Sequence, residues 1–336
     1  MRKTLLLAAA LIAPLFTAPA PLAAQASAAQ AAGKVKPSPL APSEIVAAAP
    51  KDDWTRIAPS DLLVMDLAPD AKGKPRRVVI QLMPPPFSAG WIGNIRKLAA
   101  AHWWDGMSIN RVQDNYVVQW GDPNGDDKAK AKALPAGLAT MAESEYVRPA
   151  VAKSLIRDPA RGLLYNRGLI ADHDSYAITQ FWLGWPLGRS AEIGPKQSNW
   201  PVHCYGMVGV GRDLPPNTGS GAELYVVIGH APRHLDRNIA LVGRVIEGIE
   251  YLSSLLRGHG GLGFYDLDQG DERVAIRSIH PGVEVKDLPP YEYLSTESAR
   301  FANYADARAN RRDAFFIRSA GGADICNIPV PVRRVK

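Results

Sequence analysis

The chain has 336 residues, a net charge of +6 and 46% hydrophobic residues. This length and hydrophobic content can support one large domain with additions, or two small domains. The positive charges form no concentrated basic block, so composition does not indicate nucleic-acid binding.

Residues 1–26 have the pattern of a cleaved secretory signal peptide: two positive charges, an apolar run, and the small-residue end Ala24-Gln25-Ala26. No later segment reaches the roughly 18 unbroken apolar residues of a membrane helix. We therefore expect a periplasmic or secreted mature chain without membrane insertion after signal cleavage. In an oxidising compartment, Cys204 and Cys326 are most simply one disulfide, although two buried free thiols are an alternative.

The rest of the chain predicts many strands and few helices. Residues 27–53 are Ala/Pro-rich and are expected to be flexible, with structure beginning near Trp54. Strands are predicted at residues 62–67, 77–82, within 102–125, 205–210, 224–228, 239–245, 273–279 and 325–330, and helices after Ser88 and at 151–156, 249–256 and 296–312. This order predicts a mostly β fold, a closed antiparallel barrel with two capping helices. Residues 126–200 are expected to form a long insertion, residues 287–336 a C-terminal extension, and residues 333–336 a solvated tail.

Within the strand pair at 102–125, Arg111 is a cation in a run of otherwise strand-forming apolar residues. An exposed arginine on the wet face of a strand is the simpler interpretation of Arg111 alone. A guanidinium held at the edge of an apolar surface is the alternative, and the neighbouring motifs favour it.

Three blocks in order along the chain resemble the cyclophilin family of peptidyl-prolyl cis/trans isomerases. Residues 104–122, WDGMSINRVQDNYVVQWGD, share Arg111, Gln119 and a terminal Gly-Asp with the family's pattern. Residues 205–211, YGMVGVG, with 217–228, NTGSGAELYVVI, form the second block, and residues 240–249, ALVGRVIEGI, form the third. The resemblance implies a cyclophilin-like domain over residues 54–286.

This resemblance implies an isomerase that assists the folding of exported proteins, acts on proline-containing polypeptides and needs neither cofactor nor metal. Catalysis of this kind requires an apolar pocket for the proline ring and a donor that stabilises the twisted amide. By resemblance, the donor is Arg111, and Gln119 holds either Arg111 or the substrate carbonyl. The implied substrate-binding residues are Tyr116, Val117, Gly209, Val210, Glu223, Tyr225, His234 and Leu235.

Four positions depart from the family's pattern. Asn110 replaces a histidine, Glu223 a glutamine, His234 lies near the usual tryptophan, and Ile239 stands at another histidine position. These changes leave open an alternative from another class, a non-catalytic polypeptide-binding chaperone or scaffold with the cyclophilin fold. Ordinary barrel core is the competing interpretation of the apolar pocket residues.

Overall fold

A computed structural model of the chain describes residues 39–125, 127–149, 174–192 and 194–335. The described helices are α1 (Pro42–Ala47), α2 (Ala89–Ala100), α3 (Ile249–Ser253) and α4 (Ala299–Ala309). The described strands are β1 (Trp54–Ile57), β2 (Leu62–Leu67), β3 (Arg76–Leu82), β4 (Ser108–Val112), β5 (Val117–Gly121), β6 (Arg148–Pro149), β7 (Ile178–Trp182), β8 (Trp185–Arg189), β9 (Ser198–Pro201), β10 (Met207–Val210), β11 (Leu224–Val227), β12 (Leu241–Glu247), β13 (Ile276–Pro281), β14 (Tyr291–Leu294) and β15 (Val332–Arg334).

Eight strands form the predicted barrel, in the order β13-β2-β3-β12-β10-β11-β5-β4, with antiparallel neighbours. The two end strands approach each other: Ile109 N donates to Val274 O over 2.9 Å, and Ile276 N donates to Met107 O over 2.7 Å. These bonds nearly close the barrel, which leaves few unpaired strand edges among its members.

Helix α2 packs an apolar face on the barrel core, as its periodicity predicts: Ile92, Ile95 and Leu98 are buried. Ser88 precedes this helix as expected, but its hydroxyl does not cap the helix. Instead, Ser88 Oγ donates to Leu241 O over 2.7 Å, which ties the start of α2 to β12.

The insertion contributes a separate four-stranded sheet in the order β6-β9-β8-β7. Its β7–β8 turn contacts the barrel through Gly184, whose carbonyl accepts from the buried Arg244 of β12 over 2.7 Å. The Arg244 guanidinium lies 4.6 Å from the Trp185 ring centroid, so insertion and barrel share a cation–π contact. The predicted helix at 151–156 lies outside the described residues, as do the signal peptide and residues 27–38.

Strands from both ends of the described chain form a third sheet, β1-β14-β15, in which β14 pairs with each of the other two. The prediction that residues up to 53 are flexible is wrong for the described part, because α1 and a 3-10 turn at Lys51–Asp53 precede β1. The predicted strand at 325–330 is also wrong: Ile325–Asn327 is a 3-10 turn, and the strand follows it.

Residues 333 and 334 are not a solvated tail. Arg333 lies 3.6 Å from the Trp54 ring centroid and donates to Glu292 over 2.8 Å. Arg334 donates to Glu247 of β12 over 2.7 Å. These partners come from distant parts of the chain, so local sequence did not reveal them.

The structure contains the predicted disulfide between Cys204 and Cys326, across 122 residues of sequence. It joins the segment before β10 to the 3-10 turn of the extension. Among the described residues, no helix is both long enough and apolar enough to span a membrane.

Candidate active site

A cleft of about 800 Å³ opens on the face of the barrel formed by β4, β5 and β11. It brings together most of the residues that the sequence predicted for the site: Arg111, Tyr116, Val117, Gln119, Glu223, Tyr225 and Leu235. The register of the sheet explains this, because Arg111 of β4 pairs with Gln119 of β5, and Gln119 pairs with Tyr225 of β11.

Arg111 is half-buried at the edge of the cleft and held from several sides. Its Nε donates to Leu262 O over 2.7 Å, its Nη1 donates to Gln119 Oε1 over 3.2 Å, and its Nη2 donates to Gln113 Oε1. The guanidinium lies 5.6 Å from the ring centroid of Tyr116 and 5.4 Å from that of Phe264. Burial lowers the pKa of Arg111, which is consistent with a partly dehydrated cation.

Gln119 connects Arg111 to Glu223. Its Oε1 accepts from Arg111, while its Nε2 donates to Glu223 Oε2 over 2.8 Å. The orientation of this amide is therefore set from both ends. Gly121 and Gly211 lie against Glu223, where a Cβ would overlap its side chain. These glycines make room for the carboxylate beside the cleft.

An apolar wall faces the same cleft. Val117 and Tyr225 are buried in it, and Tyr116, Leu235 and Ile239 pack against them while keeping partial exposure. This group is a cluster of its own, separate from the main barrel core. An apolar group next to a charged donor matches the arrangement that a prolyl isomerase requires.

Two predicted residues, Gly209 and Val210, lie elsewhere. Val210 is fully buried in β10, and neither residue is among the described residues that line the cleft. Gly209 lies beneath the Tyr225 ring, which a Cβ at residue 209 would overlap. Gly209 supports the wall of the cleft from behind, and contact of Gly209 and Val210 with a bound peptide stays a prediction.

The family model described as "Cyclophilin type peptidyl-prolyl cis-trans isomerase/CLD" matches residues 90–279, more than half of the chain. The chain belongs to this family. The match begins in α2 and ends in β13, so it includes the cleft and the insertion.

A solved cyclophilin has a similar fold. Cyclophilin AquaCyp293 from Hirschia baltica matches over 84% of this chain and 94% of its own, with 20% identity and a TM-score of 0.61. A cyclophilin type peptidyl-prolyl cis-trans isomerase from Cryptosporidium parvum covers 65% of this chain and 96% of its own, with 12% identity and a TM-score of 0.37. The same protein in the presence of the dipeptide Ala-Pro gives 11% identity, 65% and 98% coverage, and a TM-score of 0.37. No curated protein sequence matches this chain.

The structure shows where two residues that depart from the cyclophilin pattern, Asn110 and His234, lie relative to the cleft. Asn110 lies at the cleft, accepts from Ser108 Oγ over 2.8 Å and donates to Gly121 O over 3.2 Å. His234 is exposed and outside the described lining of the cleft, with its ring stacked on Tyr116 at a centroid distance of 6.4 Å. It therefore supports the outer face of Tyr116.

A chain of buried polar groups lies behind the apolar wall of this cyclophilin. Tyr225 Oη lies 2.9 Å from His203 Nε2, and His203 Nδ1 lies 3.0 Å from Asp236 Oδ1. Burial raises the pKa of Tyr225 well above its usual value, so the phenol keeps its proton beside His203. Asp236 Oδ2 in turn accepts from Arg233 Nε over 2.8 Å.

This polar chain reaches the insertion and the C-terminal extension. Arg233 also pairs with Asp174, the first residue of the described stretch 174–192 of the insertion, and with Asp324 at 3.4 Å. Asp324 is two residues from the disulfide cysteine Cys326. The sequence showed no sign of this network, because its members come from five separated places in the chain.

Sequence reasoning also missed the loop that covers Arg111. Leu262 and Phe264 contact the guanidinium and remain 68% and 42% exposed. The sequence did contain one sign of this contact. Residues 258–264, GHGGLGF, place two large apolar residues among glycines, and large apolar residues are unusual in a solvated loop.

Proposed function

We propose that this cyclophilin catalyses prolyl isomerisation at the cleft around Arg111 and assists the folding of exported proteins. The observation that carries the proposal is the placement of a half-buried guanidinium beside an apolar wall. Arg111 contacts the ring of Tyr116, and Tyr116, Leu235 and Ile239 all pack against the cluster that contains Val117 and Tyr225.

The chemistry follows from the amide bond. Rotation about the bond is slow because resonance gives it double-bond character, and twisting places the lone pair on nitrogen. Uncatalysed prolyl exchange takes tens to hundreds of seconds, so a modest stabilisation of the twisted form has a large effect. In our proposal the proline ring packs against Tyr116, Leu235 and Ile239, and Arg111 donates to the twisted amide. Gln119 and the Leu262 carbonyl hold the guanidinium in place.

Two features support an exported setting. Residues 1–26 have the signal-peptide pattern, and the Cys204–Cys326 disulfide is of the kind that persists in oxidising compartments. The proposed substrates are therefore proline-containing segments of exported polypeptides, in the periplasm or outside the cell.

The test measures cis/trans exchange of prolyl tetrapeptides with the purified mature chain. Arg111→Ala is expected to lose on the order of a hundredfold or more in kcat/KM, the usual effect of removing one preorganised donor. Arg96→Ala is the matched control, since Arg96 is an exposed arginine of α2 that pairs with Asp61. Circular dichroism must show both variants folded. Equal activity of Arg111→Ala and wild type would place the active site elsewhere.

Glu223 favours a second candidate function, non-catalytic polypeptide binding. Its carboxylate accepts from Gln119 and brings a negative charge to the group that holds Arg111. A wild-type chain that binds prolyl peptides but does not accelerate their exchange would support this second function over the first.

A further inference from the structure

Outside the cleft, two histidines and two carboxylates meet at the end of α2. His102 and Asp105 follow the helix, His280 lies in β13, and Glu284 lies in the 3-10 turn Gly282–Glu284. His102, Asp105 and His280 each offer one ligand atom within 4.8 Å of the others. None of the four is among the described residues that line the cleft.

The hydrogen bonds assign the ring nitrogens of His102. Nε2 lies 3.0 Å from Glu284 Oε2, so it carries the hydrogen and donates to that carboxylate. The lone pair of Nδ1 then faces Asp105 Oδ2, another lone-pair atom, at 3.8 Å. The two lone pairs repel each other, and a cation placed between them would be attracted by both.

His280 completes the set. Its Nε2 lies 2.9 Å from the same Asp105 Oδ2 and donates a hydrogen to it in the absence of metal, so metal binding requires the His280 tautomer with the hydrogen on Nδ1. The His280 ring stacks on that of His102 with centroids 4.0 Å apart. Asp105 Oδ1 accepts from the backbone N of Ile279 over 3.1 Å, which turns Oδ2 towards the two imidazoles. The carboxylate is thus oriented by the backbone.

We propose that His102 Nδ1, His280 Nε2 and Asp105 Oδ2 bind a divalent transition-metal ion of the Zn²⁺ class. The spacings of 2.9 and 3.8 Å bracket the separation of about 3.3 Å that tetrahedral ligands at Zn²⁺ adopt. Imidazole and carboxylate together suit Zn²⁺ and its neighbours in the first transition row. Glu284 would hold the ring of His102 through its other nitrogen, as carboxylates beside metal-bound histidines commonly do.

The backbone at His102 ends α2, because Trp103 N donates to Leu98 O over 2.9 Å, the bond that accompanies a left-handed residue after a helix. The φ of His102 is +50°, a left-handed conformation that residues other than glycine seldom adopt. This conformation directs the chain from the end of α2 into the turn that carries Asp105. Metal binding would join that turn to β13, beside the hydrogen bonds between β4 and β13 that nearly close the barrel.

The test titrates the chelator-treated mature chain with Zn²⁺ by calorimetry. Wild type is expected to bind one ion, and Zn²⁺ is expected to raise its Tm because binding stabilises the folded state. His280→Ala and His102→Asn are expected to lose affinity about a hundredfold, and Glu284→Gln about tenfold. Asparagine is chosen at residue 102 because it tolerates a positive φ.

His259→Ala is the matched control. His259 is also an exposed histidine paired with a carboxylate, Asp271 at 2.6 Å, but has no second imidazole in its described surroundings. Its affinity for Zn²⁺ should equal that of wild type. Absence of saturable binding in wild type, or equal affinity in the His280→Ala and His259→Ala proteins, would overturn the proposal. Glu284→Gln keeps the test decisive if the histidine variants do not fold.

Discussion

The carboxamide of Gln119 donates to Glu223 over 2.8 Å, and its oxygen accepts from Arg111. A carboxylate is therefore connected through one amide to the guanidinium that the proposed mechanism uses. The negative charge fixes the orientation of Gln119, and it also opposes the positive potential at the edge of the cleft.

We expect Glu223→Gln to raise kcat/KM for prolyl exchange. The new amide oxygen can still accept from Gln119, so the geometry is kept while the opposing charge is removed. A single charge near a protein surface contributes on the order of 1 kcal/mol at such separations, which corresponds to about a fivefold change in rate. The measurement is the tetrapeptide exchange assay, with the exposed Glu250→Gln of α3 as control. A fall in activity would instead mean that the carboxylate is needed to position Gln119.

Tyr225→Phe is expected to destabilise the fold with little effect on KM. The ring that lines the cleft is kept, but buried His203 loses the partner of its Nε2. Leaving one buried polar group unsatisfied costs about 1–3 kcal/mol of unfolding free energy. Urea unfolding gives this value, and Tyr205→Phe, at a position 50% exposed, is the control. Unchanged stability with a reduced kcat would assign the hydroxyl to the reaction.

The disulfide should contribute strongly to stability. A crosslink across 122 residues lowers the entropy of the unfolded chain, which raises the free energy of the unfolded state by about 5 kcal/mol in the chain-entropy model. The double variant Cys204→Ala/Cys326→Ala is expected to unfold at a lower urea concentration and to show no response to dithiothreitol, whereas wild type loses stability on reduction. Two free thiols in the denatured, unreduced wild type would contradict the crosslink itself.

The barrel and most of the cleft residues were predicted from three motifs that resemble cyclophilins, and the Arg111–Gln119 pair also follows from local sequence. Arg111 and Gln119 lie on adjacent strands of one hairpin, so their spacing in sequence fixes their pairing in the sheet. The loop carrying Leu262 and Phe264 could not be placed, because it reaches Arg111 from a distant segment.

The prediction for the C-terminal extension was wrong for the same reason. The composition around residue 334 predicts a solvated tail. Only the folded structure shows that Arg334 pairs with Glu247. The role of Gly209 was not evident from the sequence, because a glycine in a family motif fits two roles. It can admit a peptide backbone or, as here, the ring of Tyr225.

The pairing of Arg334 with Glu247 should appear as a difference in acid stability. The hydrogen bond from Arg334 lowers the pKa of Glu247 below its usual value of 4.5. A carboxyl group with a lowered pKa in the folded state stabilises the protein above its unfolded pKa, and this contribution is lost as pH falls through the folded value. Arg334→Gln should therefore be less stable than wild type at pH 7, and the difference should shrink from about pH 4.5 downward. Urea unfolding at several pH values measures it, with Arg312→Gln, an exposed arginine of another segment, as control. A difference that stays constant down to pH 3 would show that Arg334 acts through packing of β15 and not through the charge of Glu247.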